Sequence, residues 1–256
     1  MKIVLIGAGR LSTNLGKTLL SAGHDIMCVY SRTIQSAEAL SRQVGGVAVD
    51  CAEALPMEAD AYIVAVKDSA MEEVIPTVCR GREQQVFMHT AGSIPLNVFS
   101  GMAHHYGVLY PVQSFSKERP VNFAEIPIFI EANDEVALHV TERLAQSVSA
   151  RVYQLASENR KYLHLAAVFA CNFVNHCYAL SAEILEKHNL PFDVMLPLID
   201  ETARKVHVMT PREAQTGPAV RYDENVIGMQ SQLLRNTPLL KDLYERLSIS
   251  IHRKNQ

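Results

Sequence analysis

The stretch Lys2-Ile3-Val4-Leu5-Ile6-Gly7-Ala8-Gly9-Arg10-Leu11-Ser12 decides the fold. Its β-branched apolar run ends in glycines and hands over to Arg10–Ala22, where Leu11, Leu15 and Leu19 recur every fourth residue, as on a helix face. Working outward, the same strand-then-helix reading repeats. Asp25–Tyr30 predicts a second strand and Thr33–Val44 a second helix. Ala61–Val66 predicts a third strand followed by a helix near Ser69–Cys79, and Gln85–His89 a fourth strand. Such alternation implies a parallel, doubly wound α/β sheet. Gly107–Pro111 and Pro127–Glu131 add edge strands, Val136–Val148 a helix, and Arg151–Leu155 one last strand. From Ser157 to Asn189 there is neither Gly nor Pro, so one helix roughly 50 Å long is expected at ~1.5 Å per residue. Phe192–Val208, Glu224–Arg235 and Leu239–Ser250 suggest further helices. The boundary falls near Ser157, giving an α/β domain over 1–155 and an all-helical domain over 156–256.

Composition excludes several classes. The 256 residues hold 24 Lys plus Arg against 27 Asp plus Glu. That balance gives no bulk positive charge for nucleic acid or for an anionic membrane surface. Cys28, Cys51, Cys79, Cys171 and Cys177 are odd in number and show no C-x-x-C pair, which points to a reducing cytoplasm rather than a disulfide framework. The apolar stretch Leu163 to Val174 is broken by His164 and Asn172 and reads as too short to span a membrane. His104 and His105 are adjacent and H-E-x-x-H is absent, so no metal site is expected. Neither a phosphate-loop motif nor a G-x-S-x-G elbow supports a hydrolase.

At a strand-to-helix turn, Gly7 permits the tight bend, Gly9 lets a pyrophosphate approach, and the N–H groups of Ala8, Arg10 and Leu11 face it. This is the Rossmann fingerprint, with Ser12 in place of its third glycine. An NAD-preferring site carries an acid after the second strand; here Ser31-Arg32-Thr33 stands there, with no carboxylate from Met27 to Gln35. A guanidinium and two hydroxyls suit the 2′-phosphate of NADP(H), although Ser31 or Thr33 could equally cap the next helix. Ala65, Val66 and Thr90 end the third and fourth strands with small groups that let a nicotinamide pass. His89 either borders that ring or is a strand-end histidine bonded to backbone.

A helical wheel places Lys161, His164, Asn172 and Asn175 in a stripe roughly 80° wide. Leu163, Ala166, Ala170, Phe173, Cys177, Leu180 and Ile184 form an apolar seam on the far side. Lys161 or His164 could deliver a proton to a developing alkoxide, with Asn172 orienting the substrate. Tyr110-Pro111-Val112-Gln113-Ser114-Phe115 offers Gln113 and Ser114 as further substrate contacts. In Gln215–Asp223, Thr216 could donate to the substrate. Arg221 could clamp a carboxylate or pair with Asp223.

The opening G-A-G-R-L-S-T-N-L-G, with S-R-T, H-T-A-G-S, Y-P-V-Q-S-F, K-Y-L-H-L-A-A-V-F-A-C-N-F and Q-T-G-P-A-V-R-Y-D, resembles a group of Rossmann-plus-helical NADP oxidoreductases. The group is similar to pyrroline-5-carboxylate reductases, β-hydroxyacid dehydrogenases and deazaflavin-dependent NADP oxidoreductases. The resemblance implies a cleft between the domains and a homodimer through the helical domain. It also implies a lysine on the first helix of the second domain, matched by Lys161; the asparagine of related dehydrogenases one turn later is replaced by Leu165. Members often carry His before the proline of the Y-P-V-Q-S-F segment, where this chain has Tyr110. The expectation is NADP(H)-dependent hydride transfer with a small carbonyl or hydroxy compound. A cyclic imine reductase and a non-catalytic NADP-binding sensor or scaffold are the rivals.

Overall fold

The computed structural model describes residues 1–254. Its first compact unit runs from Met1 to Asn172 and its second from Phe173 onward. The first unit is one eight-stranded sheet. Its elements are β1 (Lys2–Ile6), α1 (Arg10–Ser21), β2 (Asp25–Tyr30), α2 (Ile34–Val44), β3 (Val47–Val49), β4 (Ala61–Val64), α3 (Met71–Cys79), β5 (Val86–His89), β6 (His105–Pro111), β7 (Ile128–Ala132), α4 (Glu135–Val148) and β8 (Val152–Gln154). The strand order is β3-β2-β1-β4-β5-β6-β7-β8. All pairings are parallel except β6 with β7. Chain direction across the sheet reverses between β1 and β4, which opens a crevice beyond their carboxyl ends.

Burial on both faces explains the near-continuous apolar runs. Ala61, Tyr62, Ile63 and Val64 are all fully buried. One face packs Leu15, Leu19, Ala37, Leu40 and Leu144 against Ile3, Leu5 and Ile63. The other packs Met71, Ile75 and Val78 against Val4, Ile6 and Val64, with Tyr62 stacked on Phe87 at 4.7 Å. The strand expected third is therefore the fourth: Val47–Val49 adds a short strand that follows Gly45-Gly46 too closely to read as a run of its own. Gly107–Pro111 is internal, between β5 and the antiparallel β7, and only β8 is an edge on that side.

A continuous helical stretch follows: α5 (Ser157–Ala167), a π-helical turn over Val168–Phe173, and α6 (Val174–Glu186). The first unit ends inside that turn, later than the expected boundary at Ser157. The reason lies in α5, whose Arg160 is buried and hydrogen-bonded to the sheet domain. Ser157–Glu186 is 30 residues long and its most apolar 18-residue window has a mean hydropathy of 1.3, so by length and composition it is long and apolar enough to cross a membrane, unlike the shorter run read from sequence.

The second unit continues with α7 (Leu196–Lys205), α8 (Pro211–Ala214), α9 (Pro218–Arg221), α10 (Glu224–Leu233) and α11 (Pro238–Lys254). Ser231 and Gln230 of α10 hydrogen-bond Glu245 and Tyr244 of α11 at 2.6 and 2.7 Å. Within Gln215–Asp223 the chain closes into the single helical turn α9, because Pro218 presets its first residue after Gly217.

Candidate active site

The first cavity opens at the carboxyl ends of β1, β2 and β4. It measures about 260 Å³ and is lined by Gly7, Ala8, Gly9, Tyr30, Ser31, Arg32, Ser36, Ala65, Val66, Lys67, Ala70 and Val74. Gly7 has φ +109, and a Cβ there would stand 2.4 Å from the Ala65 carbonyl oxygen, so only glycine fits. A Cβ on Gly9 would meet nothing within 4 Å, leaving that backbone open to a ligand. The close helix–sheet approach usually made at the third fingerprint glycine is made at Gly16 instead. A Cβ there would lie 2.9 Å from Leu5 Cδ1. Ser12 is buried nearby, its hydroxyl without a partner.

The donor set suits a phosphorylated dinucleotide. The lining holds two cations, Arg32 and Lys67, and no carboxylate. Among the described residues Arg32 forms no ion pair. Thr33 occupies the N-cap of α2, but its side chain makes no cap hydrogen bond. Ser36 and Lys67 were not in the expected set. Ser36 could have been found as the residue one turn after Arg32; Lys67 needed the knowledge that β4 lies beside β1.

The second cavity, about 550 Å³, lies beyond the end of β6. Tyr110, Val112, Gln113, Ser114, Leu163, His164, Ala166, Ala167, Val168, Ala170, Cys171 and Asn172 line it. From β1 to β6 there are three strand steps, or ~14 Å at ~4.8 Å each. Gln113 Oε1 accepts from Ser114 N at 2.8 Å.

What holds His164 here begins one turn earlier. Arg160 is 1% exposed; its guanidinium pairs with Glu131 and donates to the Ile94 carbonyl at 2.6 Å. Ser157 Oγ donates to Glu131 Oε2 at 2.7 Å and accepts from Leu96 N at 2.9 Å. These bonds staple the first turn of α5 to β7 and to the loop after β5. His164 then meets Tyr110 Oη through Nδ1 at 2.9 Å. Burial raises the Tyr110 phenol above its ordinary pKa; the Arg160 charge opposes the shift and Asp68 adds to it. Neither Arg160 nor Tyr110 was among the expected site residues. Their partners stand 66 and 54 residues away, beyond any local pattern.

The cavity takes in more of the helix surface than the expected polar stripe, and only beyond Ala167 does a π-helical turn shift the helix phase. His164 and Asn172 do share a cavity, but Leu163, Ala166 and Ala170, expected on the opposite seam, line it too. An α-helical wheel loses phase across a wider π turn, and such turns gather at functional sites. Lys161 is exposed with Nζ over the Tyr162 ring at 5.2 Å, and neither it nor Asn175 lines the cavity.

Of the expected cofactor residues, Gly7, Ala8, Gly9, Ser31, Arg32, Ala65 and Val66 come together. Arg10 is exposed and Leu11 packs toward the core. Thr90 is buried, with its N–H on the Val64 carbonyl at 3.2 Å. His89 is fully buried beside Phe99, and its Nδ1 accepts from Ala91 N at 3.2 Å. Desolvation, helped by Arg160, pushes its pKa down to about 3, so the ring is neutral. Thr216 and Arg221 lie in the second unit, both exposed. Asp223 accepts from Val226 N at 3.2 Å as the cap of α10, and among the described residues no ion pair joins it to Arg221. No group of His, Cys, Asp and Glu among the described residues could hold a metal ion.

Residues 2–89 match the family model described as NADP oxidoreductase, coenzyme F420-dependent, and residues 126–251 match a domain of unknown function, DUF2520. The crystal structure of "putative NADP oxidoreductase BF3122" from Bacteroides fragilis is 55% identical, with 98% of each chain covered and a TM-score of 0.95. Protein TM1727 from Thermotoga maritima is 24% identical over 96% of this chain and 97% of that one, with a TM-score of 0.77. An imine reductase from Myxococcus stipitatus, solved with NADP+, shares the fold at 14% identity, 99% and 92% coverage and a TM-score of 0.65. No curated protein matches the chain. With its fingerprint glycines in a cation-lined crevice and more than half its residues shared with the Bacteroides protein, the chain belongs to the NADP oxidoreductase family that joins a Rossmann domain to DUF2520.

Proposed function

We propose that the chain transfers a hydride between NADP(H) and a small metabolite, a carbonyl or hydroxy compound. The observation that carries this reading is the pair of cavities along one sheet edge, one cationic with an open glycine backbone, the other beyond β6, three strands from β1, with hydrogen-bonding groups and no carboxylate. NADP(H), when bound, supplies or accepts the hydride. The chain's residues do the rest. Gly7 and Gly9 admit the pyrophosphate to the start of α1, and Ser31, Arg32 and Ser36 hold the adenosine phosphate. His164 and Lys161 are the candidates for moving a proton, while Gln113, Ser114 and Asn172 orient the substrate.

The same reading includes a homodimer in the cytoplasm. Tyr162, Leu165, Phe169 and Phe173 are 64, 52, 62 and 49% exposed at helical spacing, and a second copy of the chain covers them. Light scattering on the purified chain tests this. All five cysteines are free, as a reducing compartment keeps them.

Calorimetry tests the cofactor. NADPH binds and NADH binds more weakly. Arg32→Ala costs NADPH about tenfold or more in affinity and NADH much less. An equal loss for both removes the 2′-phosphate argument, and no heat with either removes the proposal. Turnover of keto acids against cyclic imines separates carbonyl from imine reduction.

A further inference from the structure

We propose that Tyr110 donates the proton in the hydride-transfer step and that His164 restores it, so that the group reduced is a neutral carbonyl rather than an iminium ion. This rests on the hydride-transfer reading above and deepens it.

Three observations carry it. The Tyr110 hydroxyl and His164 Nδ1 are 2.9 Å apart, joining β6 to α5 across 54 residues of sequence. Both side chains line the cavity at the ligand edge. The phenol is buried at 8% exposure while His164 is half-buried, so a proton path from solvent ends on the phenol. Gly92, in the loop after β5, makes the room. A Cβ there would stand 2.5 Å from His164 Nδ1 and 2.8 Å from Tyr110 Cζ.

The lining's chemistry selects the substrate. Besides the pair it offers Gln113, Ser114 and Asn172, and it contains no Asp or Glu. An iminium ion comes already protonated and is favoured by a carboxylate. A carbonyl has the opposite need. When its carbon takes a hydride from NADPH, the C=O π pair moves to oxygen. That oxygen takes the proton of the Tyr110 hydroxyl. The phenolate then takes the Nδ1 proton of His164, and His164 regains one from water at its exposed edge. The sum is one hydride and one proton added across C=O, with NADP+ left behind. Alcohol oxidation runs the same steps backward. Two other charged groups act on the phenol: Arg160 from α5, which favours its ionisation, and Asp68 from the loop after β4, hydrogen-bonded by Ser93, which opposes it.

The test uses the full chain with 3,5-difluorotyrosine in place of Tyr110, read by fluorine NMR, which brings the phenol's titration toward neutral pH. NADP+ and NADPH are the saturating probes. A phenol facing the positive nicotinamide of NADP+ titrates about half a unit or more lower than with NADPH, even at the dielectric of water. His164→Gln moves the midpoint in both complexes. Equal midpoints with the two nucleotides overturn the proposal, as does a midpoint indifferent to His164→Gln. In parallel, Tyr110→Phe lowers methylglyoxal reduction about a hundredfold or more with the NADPH Kd unchanged within about twofold. Wild-type rates in that variant, or 1-pyrroline reduced faster than methylglyoxal by the native chain, also overturn it. A native chain that binds neither nucleotide refutes the hydride-transfer reading itself, an outcome distinct from equal midpoints in two saturated complexes.

Discussion

The two ends of one sheet edge are built by different means. At the end beyond β1 and β2, Gly7–Gly9 and Ser31–Ser36 are short contiguous segments, each following its own strand, and the register of β1 against β2 brings them together. At the other end, Tyr110, Gly92 and His164 come from three separated segments, and His164 is in place only because Arg160 is bonded to Glu131 and Ile94. The first end is a motif; the second is a constellation. The difference teaches that loss of one long-range tie disturbs the second end while leaving the first whole.

Four changes break or sharpen that contrast. The largest concerns His89, fully buried at the end of β5. His89 is buried and its folded pKa lies near 3, below its unfolded value of 6.5, so the unfolded chain binds the extra proton between them. Its contribution to stability is present above pH 6.5 and is lost as pH falls toward 3, about 5 kcal/mol across that window at ~1.4 kcal/mol per unit. Urea unfolding at a series of pH values should show a slope that His89→Leu flattens; an unchanged slope would mean that His89 titrates normally.

Arg160→Leu comes next. It leaves the Glu131 carboxylate without its cation, which costs about 3–5 kcal/mol for a buried pair. If the variant still folds, NADPH binding should survive while the Tyr110–His164 contact is lost. Equal damage at both ends would erase the distinction drawn here.

Gly92→Ala is smaller, about 1–3 kcal/mol of overpacking. Its methyl group must push the two rings apart, since Cβ would sit under 3 Å from both. NADPH affinity measured by fluorescence should change little, whereas carbonyl reduction should fall. Lys161→Ala is the smallest. The side chain is exposed, and Tm should stay within about 2 °C. A drop in turnover without a drop in cofactor affinity would support Lys161 as a proton carrier, and unchanged turnover would leave that role to Tyr110 and His164.

The legibility of the two ends follows their construction. The alternation of Lys2–Ile6, Arg10–Ser21 and Asp25–Tyr30 is a local signal, and Gly7, Gly9 and Arg32 sit at punctuation points that chain geometry alone marks. His164 and Asn172 were legible as polar groups in an apolar helix. Leu163 and Ala166 line the cavity beside them because it spans more than one face of α5, and nothing in Val168–Phe173 announces the π turn that carries Ala170 and Asn172. The strand-end position of His89 leaves two readings open, a nicotinamide neighbour or a histidine bonded to backbone, and the structure has it buried beside Phe99 with Nδ1 accepting from Ala91 N.

By itself the amino-acid sequence determined the α/β order, the dinucleotide turn and the absence of an acid after β2, because periodicity, glycine placement and charge act over a few residues. Only the tertiary structure decided that Tyr110 meets His164, that Gly92 leaves them room and that Arg160 ties α5 to the sheet. Those contacts join residues tens of positions apart, and which distant side chains become neighbours is set by packing of the whole sheet and not by any preference of the segments that carry them.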